Sequence, residues 1–99
     1  SIINTNNVLI NYPLSQIGKI AYSYFNNIRI RNSLMTLKLV PIPTEEYTSE
    51  GQIRDVADRP ILRAAINANA DILLTGDKDF LESGLTHPKI MTAAEFVNK

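Results

Sequence analysis

Residues Arg54–Phe80 read RDVADRPILRAAINANADILLTGDKDF, and this stretch decides the fold. Asp55 and Asp58 stand just before an amphipathic run, Pro60 to Asn69. Asp77 and Asp79 stand just after the apolar run Ile72 to Thr75. Ile61, Leu62, Ala65 and Ile66 recur at helical spacing and make one buried stripe. Asp71 to Thr75 is a strand apolar on both faces, the pattern of a central parallel strand covered by helices on either side. Asp58 is in position to cap the helix, its carboxylate accepting from first-turn N–H groups and opposing the positive end of the dipole. Gly76 lets the chain turn after the strand, and Lys78 to Glu82 begins a short helix. If the long helix packs on the strand, Asp58 and Asp77 meet in the crevice at the strand's carboxyl end, where open α/β sheets carry their sites. Acids converging there without an obvious basic partner suit a hard, oxygen-liking cation such as magnesium or manganese.

Working outward, Val8 to Tyr12 (VLINY) is a short apolar run that predicts a strand closed by Pro13. Leu14, Ile17, Ala21, Tyr24 and Phe25 predict a helix from Pro13 to Phe25, with Pro in the first turn, where its missing N–H costs little. Asn26-Asn27 breaks it, and Ile28 to Leu37 is a second helical candidate with a thin apolar stripe. Leu39 to Ile42 predicts a short strand before Pro43, and Thr44 to Gln52 a polar loop. Beyond the central stretch, Lys89 to Met91 predicts an edge strand. Thr92 and Glu95 stand three apart, as in a capping box, and open a last helix through Val97. The expected fold is one α/β domain over residues 1–99.

Composition narrows the function. Ninety-nine residues with 44% apolar content supply one modest core. There is no cysteine, which excludes disulfides, zinc-thiolate sites and thiol nucleophiles and makes a reducing cytoplasm the natural compartment. No apolar run approaches the roughly 18 residues of a membrane span, and no signal peptide opens the chain, so no membrane partner is expected. All ten acids lie in residues 44–99, while residues 1–43 hold only Lys19, Arg29, Arg31 and Lys38 as charged groups. A basic first half can face a phosphate backbone while an acidic second half holds metal, although four charges also make an ordinary surface. Either way, no carboxylate ligand comes from the first 43 residues.

Three segments carry a resemblance. They are D-x-x-D-R-P-I-L-x-A-A-I at Asp55 to Ile66, A-D-I-L-L-T-G-D-K-D-F at Ala70 to Phe80, and P-K-I-M-T-A-A-E-F at Pro88 to Phe96. Together they resemble the C-terminal half of a PIN domain, of the branch described as toxin components of toxin–antitoxin systems. The resemblance implies a PIN-like parallel sheet flanked by helices, and a cluster of carboxylates that binds Mg²⁺ or Mn²⁺ and cuts single-stranded RNA. It assigns Asp58 and Asp77 as catalytic and metal-binding, with Asp79 and, as an auxiliary, Asp55 as further ligands. It also implies a cognate antitoxin as partner. Leu9 to Asn11, the helix after Pro13 and Lys38 to Val40 fall where that family has its second strand, its acid-bearing helix and its third strand.

The chain also departs from the pattern. The family's first acid belongs to an Asp-Thr-Asn motif on its opening strand, and the only echo here is Asn4-Thr5-Asn6. The opening strand–helix unit is therefore expected to be absent. The second acid falls nearest Gln16, whose neutral amide is a weak ligand and no base. Arg54, Arg59 and Lys78 either touch RNA phosphates or neutralise the acids. Two readings stay open: a toxin-type ribonuclease, truncated or degenerate, and a non-catalytic PIN-like module that pairs with itself or an antitoxin. A sheet missing a central strand would expose an edge, which predicts a homodimer lined by Leu9, Ile17, Tyr24, Leu34 and Leu37.

Overall fold

The computed structural model describes residues 3–5, 7–20 and 38–97. Five strands form one mixed sheet: β1 (Ile3–Thr5), β2 (Val8–Asn11), β3 (Lys38–Leu39), β4 (Ile72–Thr75) and β5 (Lys89–Met91), in the order β3-β1-β2-β4-β5. Among the described residues four α-helices accompany it: α1 (residues 14–20), α2 (Arg59–Asn67), α3 (Lys78–Leu81) and α4 (Ala93–Val97). Short 3₁₀ turns at Thr48–Gln52 and Val56–Asp58 precede α2. The α/β architecture expected from the sequence is therefore present. The remainder of the Pro13 to Phe25 helix and the candidate helix at Ile28 to Leu37 lie outside the described residues.

Val8–Asn11 runs parallel to Ile72–Thr75, with Leu9 opposite Leu73 and Asn11 opposite Thr75, and β5 adds parallel to the far side of β4. Both β2 and β4 are apolar at consecutive positions because both faces of the sheet are covered. Leu9 and Leu73 point to one side, where they pack with Ile53, Leu62, Ala64, Ala65, Ala70 and Phe80. Val8, Ile10 and Leu74 point to the other, against Ile17, Met91 and Phe96. Alternate residues of a strand must face opposite ways. One four-residue strand thus serves two cores.

The structure corrects the expected sheet in two ways. It is not wholly parallel, because β1 pairs antiparallel with both β2 and β3. Asn7, at φ 66°, forms the turn between β1 and β2, a left-handed conformation that Asn tolerates better than most residues. Nor is β2 left without a central neighbour, since β1 and β4 pair with it on either side. Leu9 and Ile17, expected to line a self-association face, are 0% and 4% exposed inside the two cores. Tyr24, Leu34 and Leu37 lie outside the described residues. The strand expected over Leu39 to Ile42 is limited to Lys38–Leu39, since Pro41 and Pro43 have no N–H to give a ladder.

The chain around α2 sets up the site. Pro60 stands in the helix's first turn, and Leu62, Ala64 and Ala65 are buried on the face toward the sheet. Asn69, at φ 56°, ends the helix: its N–H donates to the Ile66 carbonyl, and the Ala70 N–H reaches back to that of Ala65. This left-handed stop satisfies orphan carbonyls and aims the chain into β4. At the other end of the domain the capping box is formed. Glu95 N–H donates to Thr92 Oγ1 at 3.1 Å and Thr92 N–H to Glu95 Oε1 at 2.9 Å. The backbone bond to Thr92 is the main reason the Glu95 carboxyl lies below its usual range.

Candidate functional site

Four acids come together where α2 begins and β4 ends. Asp55 caps the 3₁₀ turn before α2, its Oδ1 accepting from Ala57 N–H at 3.0 Å. Asp58 follows at the end of that turn with φ −90° and ψ −13°, already helical, and its side chain makes no capping bond. This corrects the expectation that Asp58 caps α2. The turn runs into the helix without the extended residue a cap requires, and Pro60, second in the helix, offers no N–H to accept from. The carboxylate is thereby left to face the other acids.

The second pair is held by a chain of hydrogen bonds at the end of β4. Thr75, 1% exposed, accepts from Asp77 N–H at 3.1 Å through Oγ1. Asp77 in turn caps α3, taking the Asp79 N–H on Oδ1 at 3.0 Å. Gly76 turns the chain without a positive φ. A Cβ there would meet the Tyr12 ring at an ordinary 3.7 Å, so the turn does not depend on glycine.

One oxygen each from Asp55, Asp58 and Asp79 lies within 4.8 Å of the others. Oxygens across a single magnesium ion stand about 4.2 Å apart and those across calcium about 4.8 Å, so small side-chain movements would bring all three onto one ion. Asp77 lies outside this trio but bears directly on Asp58. Burial first, then the Asp77 carboxylate, then Asp55 and Asp79 push the Asp58 carboxyl from 3.8 up to about 6. An acid raised by surrounding acids is a carboxylate that a cation would relieve. Asp77 thus acts on Asp58 while standing outside the trio, and Asp55, given less weight from the sequence, is one of the three.

The basic residues divide. Arg54 pairs with one acid of the cluster, donating to Asp79 Oδ1 from Nη2 at 2.6 Å and Nε at 3.2 Å. Arg59 turns inward, its Nε donating to the Ile53 carbonyl at 3.0 Å. Lys78 is exposed. Gln52, Arg54, Asp79, Glu82 and Ser83 line a shallow polar cleft beside the acids.

Two residues were missed by sequence reasoning. Asn11 ends β2 beside Thr75 and donates to its Oγ1 at 3.1 Å. The available signal was the equal length of VLIN and ILLT, two apolar runs with a polar last residue. Glu50, 3% exposed, pairs with Arg63 through two bonds of 2.9 and 3.0 Å, and Arg63 also donates to the Pro43 carbonyl. An arginine between Leu62 and Ala64 on an apolar face was the sign that a buried partner existed. The echo at Asn4-Thr5-Asn6 is described only through its strand: Asn4 and Thr5 belong to β1, and Asn6 lies outside the described residues. Thr5 pairs with Val8, at the end of β2 opposite to Asn11, because β1 runs antiparallel. Gln16 is exposed on α1.

Comparison with known proteins finds no match to a family model, a curated protein or a solved structure. Among the described residues no helix is long and apolar enough to cross a membrane.

Proposed function

We propose that this domain is a divalent-cation-dependent ribonuclease of the PIN type, a toxin component of a toxin–antitoxin system, with a site reduced to weak activity. The observation that carries the reading is the trio Asp55, Asp58 and Asp79 at the mouth of the sheet, with Asp77 against Asp58. The three carboxylates would hold Mg²⁺ or Mn²⁺, which would acidify a water and offset charge on the phosphoryl oxygens of single-stranded RNA. Asp77 would keep the cluster strongly negative, and Thr75 would hold the turn that carries it. The reduction follows from Asn11 and Gln16, which offer neutral oxygens in the half of the chain that has no acid.

The test is manganese titration of the chain together with cleavage of a single-stranded RNA. Asp58→Asn is expected to weaken manganese binding at least tenfold, and Asn11→Asp to strengthen it and raise cleavage. Manganese affinity indifferent to Asp58 would remove the proposal.

A second reading, a non-catalytic module that pairs with itself or an antitoxin in the cytoplasm, is favoured by a different observation. Leu39 and Ile42, on and after the edge strand β3, are 71% and 51% exposed. An apolar sheet edge is a surface for strand or helix addition. Light scattering that finds a homodimer, dissociated by Leu39→Lys while Asn11→Asp fails to give cleavage, would favour this reading over the first.

A further inference from the structure

The acid cluster already carries a cation, and it belongs to the chain itself. Both bonds from the Arg54 guanidinium end on one atom, Asp79 Oδ1, and Asp79 is one of the trio that comes within reach of a common ion. The two partners are unequally exposed: the Arg54 side chain is 79% open to solvent and that of Asp79 only 18%. The arginine thus lies over the carboxylate from outside. Its backbone is anchored next to Ile53, which is wholly buried, while its side chain, beyond the bonds to Asp79, is open to solvent. Glu82 lines the same cleft and offers the guanidinium a second carboxylate.

We infer that Arg54 is a tethered counter-ion that must leave Asp79 before a divalent cation is held there, so that the site alternates between an arginine-covered and a metal-competent state. The inference rests on the cation-binding reading given above. An exposed ion pair suits such a device because it is weak. Pairs of this kind are strong enough to lower cation affinity a few-fold and too weak to lock the site. A divalent ion brings twice the charge and takes oxygens from several acids, so it displaces the guanidinium when its concentration is high enough. Glu82 then receives the arginine within the same cleft, without exposing any new apolar surface.

The competition is measurable on the full 99-residue chain. Free Mn²⁺ is followed by electron paramagnetic resonance for wild type, Arg54→Gln and Lys78→Gln. Lys78 adjoins both Asp77 and Asp79 in sequence and makes no ion pair among the described residues, so Lys78→Gln reports the general effect of removing one positive charge. Arg54→Gln is expected to bind manganese two- to fivefold tighter than wild type and tighter than Lys78→Gln, with an unchanged melting temperature. Equal affinities for the two variants would overturn the inference and leave the cation site standing. Manganese bound by none of the three proteins would overturn both.

Discussion

Asp58 is a carboxylate the fold makes uncomfortable, and its titration carries a definite sign. Its folded value, about 6, lies above the ordinary 3.8, so the native state holds this proton more tightly than the unfolded chain. Stability is greatest while the group is protonated and declines as pH rises from about 4 through 6. Asp58→Asn should therefore stabilise the metal-free domain at pH 8, by about 1 kcal/mol if one unit-charge repulsion at 4 Å in water is removed. At pH 4 the same substitution should make little difference, and thermal melts at the two pH values check both statements. Glu50 has the opposite sign. The Arg63 guanidinium outweighs the cost of burial and holds it below 4.5, so its contribution is present at neutral pH and lost on acidification below that range. Arg63→Met would leave the Glu50 carboxylate buried and unpaired, at a cost of about 3–5 kcal/mol in urea unfolding at pH 7. The same change at pH 3, where Glu50 can be neutral, should cost visibly less.

At the scale of elements, α2 does two jobs with two faces of one end. Its apolar side fixes Leu62, at 0% exposure, against the sheet, and its start holds Asp58, the last residue of the preceding 3₁₀ turn, at the crevice. Leu62→Ala is expected to destabilise by about 2–5 kcal/mol, through lost burial and the cavity left behind. Because that cavity lies under the helix carrying Asp58, manganese affinity should fall with it. The terminal helix α4 is more local. Removing the cap with Thr92→Ala should cost about 1 kcal/mol and leave manganese binding unchanged, since among the described residues the side chains of Thr92 and Glu95 bond to each other and to their own backbone. A Thr92 variant that lost manganese affinity would show that α4 is coupled to the site, through the packing of Phe96 on Leu74 and the bond from Ala93 N–H to the Tyr12 hydroxyl above Gly76.

At the scale of the whole molecule, the position of β2 matters most. Expected as a strand beside a gap, it sits inside the sheet with Leu9 and Ile10 at 0% and 2% exposure, between β1 and β4. Leu9 and Ile17, two of the residues expected to drive dimerisation through that gap, are therefore spent on the core. Among the described residues, Leu39 and Ile42 offer an exposed apolar edge in their place. Leu9→Lys should then unfold the chain, whereas Leu39→Lys should leave its melting temperature near wild type and lower its mass in light scattering only where the second reading holds. A chain that tolerated Leu9→Lys would return β2 to the edge.

What was legible before folding is what repeats over short distances. Ile61, Leu62, Ala65 and Ile66 mark α2 by helical period, Ile72 to Leu74 mark a strand covered on both faces, and Thr92 with Glu95 mark a helix start. The acids at 55, 58, 77 and 79 were visible for the same reason: they flank one helix and one strand that pack back to back. Strand neighbours carry no such local trace. Val8 to Asn11 and Ile72 to Thr75 are alike in composition to many strands, and only the closed core seats them side by side, so that Asn11 meets Thr75 from 64 residues away. The pairings of Glu50 with Arg63 and of Arg54 with Asp79 arise likewise, from side chains whose reach is set by packing. Even Asp58, legible as an acid, acquired its role from three dimensions. A 3₁₀ turn continuing into α2 left its carboxylate without a capping partner and turned it toward Asp77, and no local pattern records the direction in which a helix is entered.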